Sequence, residues 1–550
     1  MRVLLTALVS ALTLAAQTRP ADAIYINGKV VTVDPRFSIV EAFAVTGEKF
    51  SAVGKTAEIR KLAGPNTRII DLGGKTVIPG LEDSHLHGAG GGPGVDLSRA
   101  RTMSDVLEAV ARRVKSSKSG DVVVSNSDWH EAQLKEQRLP LRRDLDTVAP
   151  NTPVVLVRGG HEYILNSAAL AKWGITKAAR SPDGGQISRY PDGEPNGELV
   201  DRAKSLVRLP SSQLSPEQQI QSWIAQYKTL NAAGLTSVRH PGISLEQYRM
   251  LQEMKRRGVL TMRVNALISA PPDADELKVR NFIQSNGLKA REGDEWVRLD
   301  GMKLIADGGF EGGWMREPYQ EPYGKDGTFR GLQLIPADRY NRIVKELSRL
   351  GWRVGTHAVG DAAIDEVLAG YEAADAERSI MGRRWAIEHG FIPRDDQFAR
   401  IKALGLIVTV QDHLYIAGPS LVKYWGRQRA SWVTPVHAYL DHGISTAAGT
   451  DAPVVPYPPL WTIYHFVSRD TISGGVLGPD QKITREDALR LSTINNAYLT
   501  FDEAIKGSIE TAKLADFVVL DEDILTVPDK RIEQMKVLKT VIGGKVVFGG

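Results

Sequence analysis

The stretch VIPGLEDSHLHG, residues 77–88, is an apolar run that ends in two histidines. The apolar residues predict a β-strand, and the side chains of a strand alternate between its two faces. Asp83, His85 and His87 therefore share one face, so the two imidazoles converge on one point. A metal site fits this pattern, but an exposed polar face or a pair of hydrogen-bonded core histidines fits a lone His-x-His motif equally well. The rest of the chain has to distinguish these interpretations.

Alternating helix and strand patterns fill the middle of the chain. Eight short strand candidates occur there, and several of them follow an amphipathic helix. This alternation predicts βα units and a parallel sheet, and we expect a (β/α)8 TIM barrel, which with insertions can exceed roughly 400 residues. The strand candidates are TVIPGLEDSHLH, LTSVRH, LTMRVNALIS, VRLDGMKLIAD, WRVGTHAVG, RWAIEHG, GLIVTVQ and GISTAAGTD.

Both ends of the chain are rich in short strands separated by Gly and Asp turns, as in AIYINGKVVTVD and VLKTVIGGKVVFGG. Because open sheet edges are a liability that pairing removes, we predict one small β-sandwich domain assembled from both termini, residues 24–78 plus 505–550. The barrel then occupies residues 79–504. Residues at about 119–205 exceed the length of one βα loop and contain their own strand, TPVVLVRGG, so they predict an insertion in the barrel.

The first residues, MRVLLTALVSALTLAAQTRPADA, combine one arginine, an apolar stretch and small residues. They predict a signal peptide at residues 1–23, cleaved after Ala16 or Ala23, and hence an exported protein that is periplasmic or secreted. The apolar stretch is shorter than a membrane span of about 20 residues, although an uncleaved anchor is a second interpretation. No other stretch is suited to cross a membrane, so we expect no membrane span after signal removal.

The composition limits the partners and the chemistry. The 69 Lys and Arg residues nearly balance the 65 Asp and Glu residues and are interspersed with them, so we expect no nucleic-acid partner. The chain has no cysteine, which excludes disulfides, thiolate ligands and a cysteine nucleophile. Any metal must therefore bind to histidine, carboxylate or a modified lysine. A small-molecule substrate is the expected partner, and the sequence leaves open a homo-oligomer.

Further strand candidates also end in potential metal ligands: VGTHAVGD in His357, WAIEHG in His389 and STAAGTD in Asp451. Functional groups of an α/β barrel gather at the carboxyl ends of its strands, so residues distant in sequence are expected to meet there. The strand GMKLIADGG adds Lys303. A lysine ammonium has no lone pair for a metal, so Lys303 either forms a salt bridge, with Asp307 or Glu311, or is converted to a carbamate, which is a carboxylate.

This ligand set, in this order on successive strands, resembles the amidohydrolase superfamily. PGLEDSHLH resembles the first metal motif of the superfamily, and GSIETAKLADFVVLD with VIGGKVVF resembles its closing β-domain signature. The motifs GGHEYILNSAAL, PDGEPNGEL, KLIADGG, THAVGDAAI, IEHG and GTDAPV resemble the family-3 branch, which includes N-substituted formamide deformylase-like enzymes. The resemblance covers essentially everything after the signal peptide. It implies a metal-bearing barrel that hydrolyses amide or related C–N bonds with a hydroxide held between metals.

The resemblance also implies the role of each residue. The histidines of the first strand hold one metal, those of the fifth and sixth strands hold the other, and a lysine carbamate made with carbon dioxide bridges the two. The aspartate binds metal and transfers the proton from water to the leaving amine. Two zinc ions are the default for nitrogen and oxygen ligands, and iron, manganese or cobalt also fits. The implied ligands are His85, His87, Lys303 as a carbamate, His357, His389 and Asp451.

The chain departs from the branch at positions that we expect to line the pocket, so the resemblance does not identify the substrate. Many relatives carry an acidic residue at the position of His240, and proline is usual in the stretch that holds Asp412 and His413. Each candidate also has a structural alternative: a core or rim histidine, a cap, or an aromatic group that closes the barrel mouth. The candidate substrate-binding residues are His161, Asn166, His240, Trp314, His413, Tyr457 and Trp461.

These features favour a metal-dependent amidohydrolase that acts on a small N-acyl, N-formyl or cyclic amide. A heterocycle deaminase on the same barrel is the second hypothesis, and Lys303 argues against it because deaminases of this superfamily typically use one metal and no lysine bridge. A catalytically silent scaffold or sensor is the third hypothesis. Such relatives usually lose ligands, and here none is missing.

Overall fold

The computed structural model describes residues 19–210, 214–271, 273–320, 327–454 and 458–549. Most of the predicted signal peptide lies outside the described residues, and so does Tyr457, a candidate for substrate binding. None of the helices within the described ranges is both long enough and apolar enough to cross a bilayer.

Eight parallel strands form the central barrel, and they follow one another around the sheet in chain order. The first and last strands meet where the Ser84 amide donates to the Ala448 carbonyl at 3.0 Å. Each strand corresponds to one of the eight strand candidates, so the predicted (β/α)8 TIM barrel is confirmed. We number these barrel strands one to eight: Leu81–Asp83, Leu235–Ile243, Arg263–Ser269, Val297–Ile305, Val354–Ala358, Ala386–His389, Ile407–Gln411 and Ser445–Gly449.

Helices cover the outside of the barrel and bury an apolar stripe against the strands. Local signals define where several of them begin. Ser215 accepts from the Gln218 amide, and Pro216 occupies the first turn, where its missing N–H costs nothing. The helices of the barrel layer and its loops are Pro216–Ala232, Leu245–Arg256, Glu276–Ser285, Ala337–Arg349, Asp361–Glu377, Asp395–Ala403, His413–Trp425, Arg427–Ser431, Val436–Asp441, Pro459–Ser468, Arg485–Leu491 and Ile494–Leu499.

Strands from both ends of the chain share one sheet beside the barrel. Phe517–Leu520, near the C-terminus, pairs antiparallel with Thr76–Pro79, which leads into the first barrel strand. This six-stranded sheet runs in the order Lys545–Phe548, Val537–Ile542, Phe517–Leu520, Thr76–Pro79, Lys29–Val31, Ile39–Val40. A second sheet runs in the order Lys49–Gly54, Ala42–Thr46, Ala23–Ile26, Arg68–Asp71. The rings of Tyr25, Phe43 and Phe517 pack together, with centroids 4.8–4.9 Å apart, and join the two sheets.

A separate five-stranded sheet lies in the segment between barrel strands one and two. Its strands run in the order Gly185–Arg189, Pro195–Asp201, Glu162–Leu165, Val154–Arg158, Val123–Val124. The helix Met103–Lys115 packs into the same hydrophobic core as these strands, so the inserted unit begins before residue 119. The loops and strand ends of this insertion face the mouth of the barrel, where they bring Arg158 and His161 into the cavity described below.

Candidate metal centre

The predicted ligands lie together at the carboxyl ends of the barrel strands. Five of them are buried, and only the His87 side chain is substantially exposed, at 40%. The end of a parallel strand is where the backbone leaves the sheet, so a side chain there points into the barrel mouth. The gathered residues are His85 and His87 after strand one, Lys303 in strand four, His357 in strand five, His389 at the end of strand six and Asp451 after strand eight.

Asp451 connects two groups of potential ligands. Its Oδ1 lies 3.1 Å from His87 Nε2 and 3.5 Å from His85 Nε2, while its Oδ2 accepts from His413 Nε2 at 2.9 Å. Within the described part of the chain, the side chains whose ligand atoms lie within 4.8 Å of one another form two groups, His85–His87–Asp451 and His389–His413–Asp451. The carboxylate is therefore the point that the two groups share.

The backbone at two of these residues is strained. Asp451 has φ 58° and His389 has φ 76°, the left-handed region that residues with a Cβ rarely adopt. The Asp451 amide donates to the His85 carbonyl at 2.6 Å, which helps to hold this conformation. Strain of this kind persists where the surrounding structure imposes it and is concentrated at functional sites.

Lys303 lies beside the first histidine, with Nζ 3.5 Å from His85 Nε2. Burial lowers the pKa of Lys303 to about 8, against the attraction of Glu388 and Asp451. The alternative salt-bridge partners are engaged elsewhere. Asp307 accepts hydrogen bonds from three backbone amides, and Glu311 pairs with Arg158. The side chain of Lys303 is therefore positioned toward the ligand cluster.

Buried polar contacts orient the imidazoles of the cluster. His85 Nδ1 donates to Glu388 at 3.0 Å, and Arg239 holds that carboxylate with two hydrogen bonds of 2.8 and 3.0 Å. His389 Nδ1 donates to Gln411 Oε1 at 2.7 Å. Each contact leaves Nε2 directed at the centre, as contacts behind a metal ligand usually do. The sequence interpretation missed Glu388, Arg239 and Gln411, and the available signal was a charged or polar residue within an otherwise apolar barrel strand.

His357 makes its hydrogen bond through Nε2, whereas His85 and His389 make theirs through Nδ1. Its Nε2 donates to the Gly308 carbonyl at 3.1 Å, so Nδ1 keeps the lone pair. The ring centroid lies 4.6 Å from that of His389. His357 thus belongs to the cluster by position, although its ligand atoms are not within either of the two compact groups.

The protonation states fit a divalent cation. Burial lowers the pKa of His85 to about 3 and those of His357 and His389 well below the ordinary value, so these rings are neutral and keep a lone pair. Burial opposes the ionisation of Asp451, but His85, His413 and His87 hold its pKa well below the usual range. Asp451 Oδ1 lies 3.1 Å from His87 Nε2 and 3.5 Å from His85 Nε2, but it accepts no hydrogen bond of good geometry. Neutral imidazoles around an ionised carboxylate are the donor set that such a cation requires.

A narrow cavity opens onto this cluster. Two predicted substrate-binding residues, His161 and His413, line it. His161 Nδ1 donates to Asp201 Oδ1 at 2.5 Å, which leaves Nε2 for the cavity. The sequence interpretation missed Asp201, which comes from another strand of the insertion. The lining consists of Arg158, Gly159, Gly160, His161, Gly309, Phe310, Glu311, His357, Val359, His389, Phe391, His413, Asp451 and Val454.

Two predicted substrate-binding residues with polar side chains, Asn166 and His240, do not line the cavity. Asn166 caps the helix Ser167–Lys172. Its buried side-chain amide accepts hydrogen bonds from the Val154 and Ala169 backbone amides and donates to two backbone carbonyl groups of the insertion. His240 is buried against the barrel: Nδ1 donates to the Leu86 carbonyl and Nε2 accepts from a tyrosine hydroxyl. Both side chains have a structural role because the surrounding polypeptide satisfies all of their polar atoms.

Two predicted aromatic contacts lie away from the cavity lining. Trp461 Nε1 donates to the Glu533 carbonyl at 3.1 Å and packs on Tyr415, so it joins the barrel mouth to the C-terminal segment. Trp314 packs against the main hydrophobic core, and its backbone amide donates to Asp307. Neither residue lines the cavity, so a contact of Trp314 or Trp461 with substrate stays a prediction.

Comparisons with known proteins agree with this architecture. A family model described as "Amidohydrolase family" matches residues 68–548. An N-substituted formamide deformylase of Arthrobacter pascens is 28% identical over 550 aligned positions, which cover 96% of this chain and 98% of that protein. Protein LONG AFTER FAR-RED 3 of Arabidopsis thaliana is 28% identical over 561 aligned positions, which cover 98% of this chain and 94% of that protein.

A solved structure is also similar. The crystal structure of an uncharacterized metal-dependent hydrolase from Pyrococcus furiosus has a TM-score of 0.65 at 26% identity, and the match covers 92% of this chain and 100% of the other. The resemblance inferred from the sequence motifs is confirmed, since the family model spans the whole barrel and the C-terminal strands of the sheet beside it. The chain belongs to the amidohydrolase family.

Proposed function

We propose that the protein is a metal-dependent amidohydrolase that hydrolyses a C–N bond of a small N-formyl, N-acyl or cyclic amide. The observation that carries the proposal is Asp451, an ionised and buried carboxylate in contact with histidines of both ligand groups. Family membership supports the hydrolase class, and the formamide deformylase among the relatives supports an amide substrate.

Six residues would hold the metal. The two histidines after strand one would bind one ion, the histidines of strands five and six would bind a second, and Asp451 would complete the site. The neutral amine of Lys303 can add carbon dioxide and release a proton, which gives a carbamate whose two oxygens suit a bridge. Two zinc ions are the proposed occupants, with iron, manganese or cobalt as alternatives. When bound, the metal would polarise the amide carbonyl and lower the pKa of water in the site.

The side chains supply positioning and proton transfer. Asp451 accepts the proton of the attacking water and returns it to the leaving amine, and His413 holds the second oxygen of this carboxylate in place. His161, oriented by Asp201, directs Nε2 into the cavity, where its lone pair can accept a hydrogen bond from the amide N–H of the substrate. Phe310 and Phe391 stack with ring centroids 5.7 Å apart and exclude water from one wall.

A substrate panel tests the reaction. Metal-loaded protein would be incubated with N-formyl, N-acyl and cyclic amides and with aminoheterocycles, and the amine, carboxylate and ammonia products would be quantified. We expect a carboxylate and an amine in equal amounts. Release of ammonia without any carboxylate would replace the proposal by the heterocycle deaminase.

Metal analysis tests the site independently of turnover. The double variant His85→Ala/His87→Ala should lose bound metal while keeping its fold, because it removes two ligands on one strand face. Metal content would be measured by mass spectrometry and folding by circular dichroism. Full metal content in the folded variant would show that the ion binds elsewhere.

We also propose that the protein is exported and that the signal peptide is cleaved after Ala16. The backbone of Ala21 and Asp22 is part of the folded structure: the Ala21 amide donates to Leu62, and the Asp22 carboxylate accepts from the Gly47 amide at 2.7 Å. Cleavage after Ala23 would remove these contacts. N-terminal sequencing of the secreted or periplasmic protein should begin at Gln17, and an intact N-terminus in the cytosol would contradict the proposal.

A further inference from the structure

A cluster of buried charges forms one wall of the cavity. Arg158 contacts three carboxylates: its Nε lies 3.0 Å from Glu131, and its NH2 group lies 2.9 Å from Glu162 and also pairs with Glu311. All four side chains are at most 4% exposed. Three carboxylates against one guanidinium leave an excess of acid that burial makes costly.

The nearby basic groups do not remove this excess. The ammonium of Lys204 donates its hydrogen bond to the Gly160 carbonyl and attracts Glu162 and Glu311 only from a distance, and His130 is neutral because burial lowers its pKa to about 3. Burial raises the pKa values of Glu162 and Glu311, against the attraction of Arg158, which agrees with a cluster short of positive charge. The cluster therefore favours a further cation or hydrogen-bond donor.

Glu311 is the member of the cluster that offers a free acceptor to the cavity. Its Oε1 pairs with Arg158, whereas Oε2 is buried and accepts no hydrogen bond. Glu311 lines the cavity, but Glu131 and Glu162 lie behind Arg158 and do not. A buried carboxylate oxygen without a donor is costly, and a group inside the cavity can satisfy it.

Aromatic rings connect this oxygen to the candidate metal centre. Phe310 precedes Glu311 in the chain and stacks on Phe391. Both rings pack edge-on against the His413 ring, with centroid distances of 5.4 Å for Phe310 and 4.9 Å for Phe391. The cavity is thus apolar between a metal-binding end and an acidic end. An apolar wall of this kind favours contact with an alkyl or aryl group, and the faces of aromatic rings also favour cations.

We propose that Glu311 forms a subsite for a cationic group, so that the preferred substrates are amides of amines that carry an ammonium or guanidinium group at their far end. The inference rests on the proposed amide hydrolysis. The Oε2 atom of Glu311 accepts a charge-assisted hydrogen bond from the substrate, and Arg158 holds the carboxylate in place. A substrate with a carboxylate at that end would face the excess acid and bind poorly.

Binding of three amine products of similar length tests the subsite without turnover. Calorimetry on the metal-loaded protein would compare butane-1,4-diamine, pentylamine and 5-aminopentanoate. We expect the diamine to bind at least about tenfold more tightly than pentylamine, since a charge-assisted hydrogen bond to a buried group is worth that factor or more. The aminopentanoate should bind most weakly.

Two variants separate recognition from structure. In Glu311→Gln the ratio of the affinity for butane-1,4-diamine to that for pentylamine should fall toward one. Glu162→Gln changes a carboxyl group outside the cavity and should keep this ratio. A ratio near one in the unaltered protein would overturn the subsite, and so would an unchanged ratio in Glu311→Gln. If the corresponding formamides are not hydrolysed while the ratio holds, the proposed reaction fails and the subsite stands.

Discussion

At the scale of single residues, the centre depends on ionisation states that only burial and neighbours can produce. Asp451 stays ionised inside the barrel because histidines surround it, and Lys303 has a lowered pKa because it is desolvated. A pKa of about 8 instead of 10.5 raises the neutral fraction of the amine at pH 7 by roughly 300-fold. The neutral amine is the form that reacts with carbon dioxide.

Asp451→Asn should abolish most turnover and leave the fold largely intact, because the amide cannot accept a proton from water. We expect a loss of about a hundred- to ten-thousand-fold in kcat. Asp412→Asn is the matched control: burial raises the pKa of Asp412 to about 8, so the neutral acid already predominates and the amide mimics it. Steady-state kinetics with metal analysis measures both variants, and a nearly normal kcat for Asp451→Asn would require a different base.

Lys303→Ala should reduce bound metal from two equivalents toward one and remove activity, because it deletes the proposed bridge. Small carboxylic acids added to this variant should restore part of the turnover by occupying the vacated position. Metal content and the rate with and without acetate are the measurements. Two metals and full activity in the variant would show that the site has no lysine bridge.

At the scale of elements, the insertion is held together by side chains that satisfy backbone groups. Asn166 links the start of the helix Ser167–Lys172 to the strand Val154–Arg158 through hydrogen bonds of 2.6–3.0 Å. The strands of the same sheet carry Arg158 and Asp201, which set the cavity wall and orient His161. The precision of the site thus depends on the rigidity of the insertion.

Asn166→Ala should destabilise the protein by about 2–4 kcal/mol, because it removes a helix cap and leaves buried carbonyl groups without a donor. The KM should stay unchanged, since the side chain does not reach the cavity. Thr102→Ala, which removes the exposed cap of the helix Met103–Lys115, is the control and should cost less. Chemical denaturation and kinetics would be compared, and a raised KM at full stability would return Asn166 to the substrate-binding residues.

At the scale of the whole molecule, buried ion pairs join the barrel to the sheet built by the chain ends. Arg263, at the start of barrel strand three, is held by Asp516 with hydrogen bonds of 2.7 and 3.1 Å, and Asp516 also accepts from the Gly543 amide. Lys506 pairs with Glu82 in the first barrel strand. The C-terminal residues therefore stabilise the barrel from the side opposite the candidate metal centre.

Asp516→Ala should lower the free energy of unfolding by about 3–5 kcal/mol, because it leaves the guanidinium of Arg263 buried without a counter-charge. The exposed Glu253→Ala, which breaks surface ion pairs with Arg256 and Arg257, should change stability little. Denaturation midpoints measure the difference, and the rate per folded molecule should be the same for both. Equal effects of the two substitutions would contradict the role of the buried pair.

The sequence by itself determined the eight barrel strands and their order, because hydrophobic periodicity is a local property of the chain. It also determined which residues end those strands, and hence that His85, His87, His357, His389 and Asp451 meet at one end of the barrel. Parallel strands place their carboxyl ends at the same edge, so no distances were needed for this prediction.

Only the tertiary structure decided which polar side chains face the cavity. His240 and Asn166 satisfy their polar atoms on backbone groups of other segments, whereas His161 and His413 remain directed at the cavity. Glu311, the acid of the Arg158 cluster that lines the cavity, likewise comes from a segment 153 residues away from Arg158 in the chain. The partner of a buried polar group is set by long-range packing, and a local pattern of residues does not contain that information.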